Sequence, residues 1–175
     1  MSGRDARTLP EHGDHSVHMA STTERMQTMR VWLLETDANI VGLILRFTLA
    51  VVIFPHGAQK VLGWFGGQGF KPTVQFFSSA GIPPALALLA MAAEFLGPLG
   101  LAVGLLTRLA AFGIACVMLV AIATVHWPHG FFMNWSGTQQ GEGFEYHLLA
   151  LGIAIALIIM GGGAWSVDRA LAGAP

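Results

Sequence analysis

The sequence predicts an all-α fold, an integral membrane four-helix bundle with short aromatic and Gly-rich interfacial loops, on three observations. The composition suits lipid: of 175 residues, 54% are hydrophobic and 11% charged, with mean hydropathy +0.61. That charged share is less than half the roughly 25% of soluble domains. Four apolar stretches each come near the ~20 residues with which a helix crosses ~30 Å of hydrocarbon. Finally, the stretches begin and end at helix punctuation: Pro83-Pro84, Pro128 and Gly161-Gly162-Gly163.

The charges divide the chain. Arg4 to Asp37 holds four arginines and six acidic residues, whereas everything after it holds five basic and four acidic ones. Residues 1–38 therefore read as a polar cytoplasmic tail without the apolar core of a cleaved signal. The tail ends in a short interfacial helix over Met29–Asp37, with Val31, Trp32, Leu33 and Leu34 as its apolar part. Residues 39–175 form the membrane domain. His12, His15 and His18 are spaced to clip a metal on a helix, but Gly13 and Asp14 oppose one, so no metal is expected. Formal net charge is −1, without the basic face that nucleic acid requires. Cys116 is the sole cysteine, which leaves no intrachain disulfide and no CxxC pair; thiol chemistry would have to come from a partner.

The spans are expected at about Asn39–Leu62, Pro83–Leu106, Arg108–Trp127 and Phe144–Met160. Leu106-Thr107-Arg108 is too short for anything but an antiparallel turn between the second and third. Gly97, Gly100 and Gly104 let backbones approach closely. Basic residues at the amino-terminal flank, at Arg108 and at Arg169 place both termini in the cytoplasm by the positive-inside rule. Loops 63–82 and 129–143, rich in Gly, Phe and Trp, then form a lid in the outer interface. Arg108 reads as a topological and headgroup anchor.

Ionisable side chains at membrane depth are costly and face a bundle interior, a cavity or a partner charge. On the first span, Arg46, His56 and Lys60 fall within an arc of about 80° at 100° per residue. Glu94 lies near the midplane of the second span, and Pro98 leaves the carbonyl of residue 94 without its helical donor. Two readings stay open. In one, Glu94 pairs with Arg46 or Lys60 to hold the helices in register, with Arg46 and Arg108 in structural ion-pairing roles. In the other, His56, Lys60, Glu94, His126 and one of Glu145 or His147 line a ligand cavity opening outward. Glu145 and His147 stand about 200° apart, which puts His147 inward and Glu145 at the rim.

Three stretches carry a resemblance: FPHGAQKVLGWFGGQGF, AAEFLGPLGLAVGLLTRLAA and GFFMNWSGTQQGEGFEYHLL. The HGxxKLxGxFGGxG pattern reads HGAQKVLGWFGGQG here, with Val61 before Leu62. Over about Ile40–Arg169 the chain resembles the DoxX family of small bacterial four-helix membrane proteins, named from the small subunits of a thiosulfate:quinone oxidoreductase. The resemblance implies a multi-pass protein of the bacterial inner membrane that belongs to a redox system, with a soluble or membrane oxidoreductase subunit as partner; a homo-oligomer stays open. No intrinsic cofactor is implied. A quinone would find donors in His56 and Lys60 and a proton acceptor in Glu94. Haem b between His56 and His126 or His147 ranks behind it. The alternative is a non-catalytic anchor or assembly partner for a soluble oxidoreductase.

The topology is checked by labelling single cysteines at positions 68 and 138 with Cys116 replaced. Both are expected to react with an impermeant reagent from outside the cell; reaction only from the cytoplasmic side would invert the orientation.

Overall fold

The computed structural model describes residues 22–173, which are helical with no strand among them. His12, His15 and His18 lie outside the described residues. The chain runs through α1 (Thr22–Leu34), α2 (Ile40–Val61), α3 (Phe70–Ser79), α4 (Pro84–Val103), α5 (Thr107–Ala121), α6 (Glu145–Met160) and α7 (Val167–Ala172). Helices α2, α4, α5 and α6 are the four apolar spans of the sequence, and they form a multi-pass membrane bundle. Asn39 starts α2 by accepting hydrogen bonds from the Val41 and Gly42 amides at 2.8 and 3.1 Å. Pro84 occupies the first turn of α4, where its missing N–H costs nothing.

Three helices are long and apolar enough to cross a membrane: Ile40–Val61, Pro84–Val103 and Thr107–His129. The fourth lies within one residue of its expected bounds and is shorter than the other three. With 16 residues, α6 rises about 24 Å at ~1.5 Å per residue, so flanking residues or a locally thinner bilayer must make up the rest. Three short helices depart from the sequence expectation. Helix α1 begins at Thr22, well before the expected Met29, and α3 occupies a stretch expected to be loop. Gly69 (φ 81°) precedes α3, and its carbonyl accepts Thr73 Oγ1 at 2.7 Å. Helix α7 follows the Gly161-Gly162-Gly163 break.

The core runs through Leu49 and Ile53 of α2, Leu101 of α4, Ile114 and Met118 of α5 and Leu157 of α6. Neighbouring spans pack extensively in the order α2–α4–α5–α6, while α6 closes back on α2 over a much smaller contact. The α2–α4 contact is tightest at Gly57. A Cβ there would lie 2.0 Å from Glu94 O, so only a glycine lets α2 reach the α4 backbone. Pro98, four residues on, cannot donate to that same carbonyl.

The N-terminal end of α2 is closed by Arg46, which is fully buried. Its Nε donates to Gly162 O at 2.7 Å, Nη1 to Leu101 O and Ala102 O at 3.0 and 3.3 Å, and Nη2 to Ala164 O and Trp165 O at 2.9 and 3.4 Å. This corrects the expectation of an Arg46–Glu94 ion pair. Two of these carbonyls lie in the last turn of α4 and three in the non-helical link between α6 and α7, and a guanidinium with five N–H donors serves them all at once. Gly104 (φ 71°) makes room, since a Cβ there would lie 2.5 Å from Arg46 Nη1. Asp168, also buried, accepts the Leu106 and Thr107 amides at 2.6 and 2.8 Å and so caps α5.

Arg108 is likewise a fork to backbone carbonyls rather than an ion-pair partner among the described residues. It donates to Ile158 O at 2.9 Å, Ile159 O at 3.1 Å, Glu35 O at 2.8 Å and Trp32 O, and its guanidinium carbon sits 5.6 Å from the centre of the Trp32 ring. It ties the end of α1 to the end of α6.

Arg46→Lys keeps the charge but loses the planar fork, leaving carbonyls at two helix ends unserved. It is expected to cost about 3 kcal/mol, the value of one or two charged hydrogen bonds. Thermal unfolding in detergent should register this as a clear drop in midpoint; an unchanged midpoint would remove Arg46 from its structural role.

Candidate functional site

At the other end of the bundle the polar groups gather at one level. Lys60, in the last turn of α2, donates to Glu94 Oε1 of α4 at 2.7 Å, with the two side chains 29% and 7% exposed. Glu94 thus pairs with Lys60, and the backbone contact at Gly57 is what brings the two helices close enough. His56, one turn before Lys60, sits on the α6-facing edge of α2, its ring centroid 6.2 Å from that of Tyr146. Tyr146 lies 5.2 Å from His147, its neighbour on α6. The His147 ring meets that of His126, at the end of the third span, with centroids 4.0 Å apart and the planes tilted by 44°.

His126 reaches that place because α5 does not end regularly. Ile122–His126 forms a π-turn, with the Trp127 amide donating five residues back to Ile122 O. Pro128 explains it: the proline has no N–H for the carbonyl of Thr124, and its ring crowds that carbonyl. The widened turn swings His126 toward α6, and π-bulges of this kind often mark functional positions. His126 Nδ1 lies 2.8 Å from Glu142 O. A carbonyl only accepts, so Nδ1 carries the proton and Nε2 of the neutral ring is the acceptor.

Glu145 does not join the cluster. Its Oε1 accepts the Met133 amide at 2.9 Å and Trp135 Nε1 at 3.1 Å, so it holds the loop before α6 in place. Glu142 works beside it, accepting the Asn134 amide at 2.7 Å. Trp127, Phe131 and Phe144 pack beneath this loop with ring separations of 5.4–5.6 Å.

Of the six candidate ligand-binding residues, His56, Lys60, Glu94, His126 and His147 come together at this end of the bundle and Glu145 faces away. Arg46 and Arg108 lie at the opposite end. The residue that sequence reasoning missed is Tyr146, the only tyrosine of the chain. At 100° per residue it stands on the edge of α6 beside His147, so the helical wheel that sorted Glu145 from His147 could also have placed it.

Three buried side-chain atoms here have no hydrogen-bond partner: Glu94 Oε2, Tyr146 OH and His147 Nδ1. They come from two helices, and two of them belong to neighbours on α6 whose rings lie 5.2 Å apart. A cavity of about 270 Å³, lined by Trp32, Asp37, Arg108 and Met160 among others, lies instead at the far end. It opens between α1 and the ends of α5 and α6, and its polar guanidinium is already engaged with carbonyls. Volume alone is therefore a poor guide to the chemistry.

A family model described as DoxX matches residues 41–127, from the start of α2 through the π-turn. A protein of Bacillus subtilis (strain 168) named "Putative oxidoreductase CatD" is 33% identical over 119 residues, 68% of this chain and 79% of the relative. No solved structure matches the chain.

Glu145→Ala should release the loop and leave the bundle intact. Hydrogen exchange is expected to show faster exchange at the Met133 amide and at the Trp135 indole, with protection in α2 and α4 unchanged. Loss of protection throughout the bundle would mean that Glu145 supports the core itself.

Proposed function

This chain belongs to the DoxX family, and on that premise we propose that it is a membrane subunit of an oxidoreductase system, holding a quinone or similar two-carbonyl redox ligand between His56, Lys60, Glu94, Tyr146 and His147. The observation that carries the reading is the set of three unpartnered buried atoms, Glu94 Oε2, Tyr146 OH and His147 Nδ1. An unmade hydrogen bond in a buried site costs about 1–3 kcal/mol, and three at one level make a site that a polar ligand head would complete.

The residues present fit such a head. Lys60 and Tyr146 donate hydrogen bonds to carbonyl oxygens, and His56 does so through a ring N–H. Glu94, paired on one oxygen and unpartnered on the other, is placed to exchange a proton. Reduction of a quinone takes up two electrons and two protons. The chain supplies binding and proton exchange; its electrons come from an oxidoreductase partner, a role in keeping with the name of the B. subtilis relative. Haem b fits less well. A metal between two imidazoles needs about 2 Å to each nitrogen, with a macrocycle between the rings, whereas Tyr146 packs against both His56 and His147. We place the protein in the bacterial inner membrane with both termini cytoplasmic, following the distribution of its basic residues.

The test separates charge from packing at the Lys60–Glu94 pair. Glu94→Gln is expected to preserve the fold and to weaken binding of a short-chain benzoquinone at least tenfold, measured by equilibrium titration. The Lys60→Leu, Glu94→Leu double variant should recover thermal stability, since apolar replacement of a buried pair is often neutral or stabilising, without recovering binding. Wild-type affinity in the double variant would reduce the pair to a helix-register device and leave the non-catalytic anchor standing.

A further inference from the structure

The four spans do not close evenly. Contacts between α2 and α4, α4 and α5, and α5 and α6 are extensive, and the one between α6 and α2 is slight. Of the unpartnered polar atoms, Tyr146 OH lies beside this weak contact, its ring facing His56 of α2. On α2, Leu45, Val52 and His56 fall on a common edge within about 40° of one another, away from the Gly57 edge that touches α4. On α6, Tyr146 and Ile153 fall within about 20° of one another on the edge away from His147, which faces His126. Leu45 and Ile153 pack against the core from partly buried positions, and Val52 is 39% exposed. The seam is thus apolar along its length, and His56 and Tyr146 stand at its polar end with their rings 6.2 Å apart.

The opposite end of the bundle offers no comparable path. The segment from Gly161 to Asp168 is held there by Arg46 through Gly162, Ala164 and Trp165, by Thr36 through the Gly163 amide at 2.8 Å, and by Asn39 O through the Ala164 amide at 2.9 Å. Asp168 fastens it to the start of α5. Three buried polar atoms lack partners at one end of the bundle, and a largely hydrogen-bonded plug, with Thr107 Oγ1 its one unpartnered buried side-chain atom among the described residues, fills the other.

We infer that the α2–α6 seam is a lateral portal: the ligand is lipid-borne, its polar head seated among Glu94, Tyr146 and His147 and its apolar tail lying between Leu45 and Val52 of α2 and Ile153 of α6. The inference rests on the proposed ligand class and adds where the molecule enters and which half of it gives affinity. A tail in the seam would complete the contact that α2 and α6 do not make with each other, through van der Waals packing against both helices, the term that drives association inside a bilayer.

The experiment compares a prenylated benzoquinone with its tail-less parent on purified protein in nanodiscs, wild type against Val52→Trp. Val52 lies one turn from His56 on the same edge, so the tail-less quinone reports any disturbance of the polar end, and an indole in its place fills the seam at an already exposed position. Val52→Trp is expected to lower affinity for the prenylated quinone tenfold or more and to leave that for the tail-less quinone within about twofold. A photoreactive group on the tail should label α2 near Val52 and α6 near Ile153. Unchanged affinity for the prenylated quinone in the variant, or labelling confined to α3 or the loop before α6, would overturn the portal while leaving the head-group site intact. Failure of wild-type protein to bind either quinone would sink the ligand class itself, and the portal with it.

Discussion

A guanidinium with no water to solvate it must find its hydrogen bonds inside the protein, and Arg46 finds them on five backbone carbonyls. The cost of burying the charge and the cost of leaving helix ends unpaired in a lipid environment offset each other, because each supplies what the other lacks. One side chain thereby fixes where α4 ends, how the chain turns after α6, and how close both come to α2. Asp168 does the reciprocal work with amides at the start of α5. Around these two residues the N-terminal end of α2 is locked, and the geometry of the other end is set by four helices leaving a common base.

From that base the helices diverge in what they ask of one another. Gly57 against the Glu94 carbonyl keeps α2 and α4 in backbone contact up to the level of Lys60, which is why the Lys60–Glu94 bond is short. No such contact joins α2 to α6. The two imidazoles of His126 and His147 are brought together by an irregular turn rather than by regular packing. The polar cluster is therefore rigid on its α4 side and loosely framed on its α6 side, an arrangement suited to admitting a molecule rather than to bracing a bundle.

Much of this was legible in the sequence. The bounds of α2 were predicted to within a residue because Asn39 is a strong cap and the apolar run ends abruptly at Leu62. Lys60, His56 and Glu94 stood out because each is an ionisable group in an apolar run. What was not legible depended on distances between helices. Arg46 was assigned a carboxylate partner because sequence displays charges and hides carbonyls, and its true partners lie more than fifty residues away. Helix α3 was missed because ten residues with three phenylalanines and a proline carry too little periodicity to be told from an aromatic loop. The π-turn was foreshadowed by Pro128, but its consequence, the meeting of His126 with His147, required knowing how α5 and α6 face each other.

The two ends of the molecule differ in their hydrogen bonding, with one unpartnered buried side-chain atom, Thr107 Oγ1, at the Arg46 end and three at the other, and the contrast bears on what the cluster is for. A membrane protein that satisfies an arginine five times over is under strong pressure to leave nothing polar unpaired. Glu94 Oε2, Tyr146 OH and His147 Nδ1 nevertheless lack partners, at a cost that summed over three groups is a sizeable part of the ~5–15 kcal/mol by which a folded domain is stable. A purely structural pair would not require that cost, because Lys60 and Glu94 already hold α2 to α4 without Tyr146 or His147. Under the proposed reading the cost is recovered when a polar head enters, and it is recovered only by a molecule that offers donors and acceptors to three atoms at once. The same feature that weakens the empty site would then be the source of its selectivity, since an apolar lipid entering by the seam could fill the space but could not satisfy the atoms at its end.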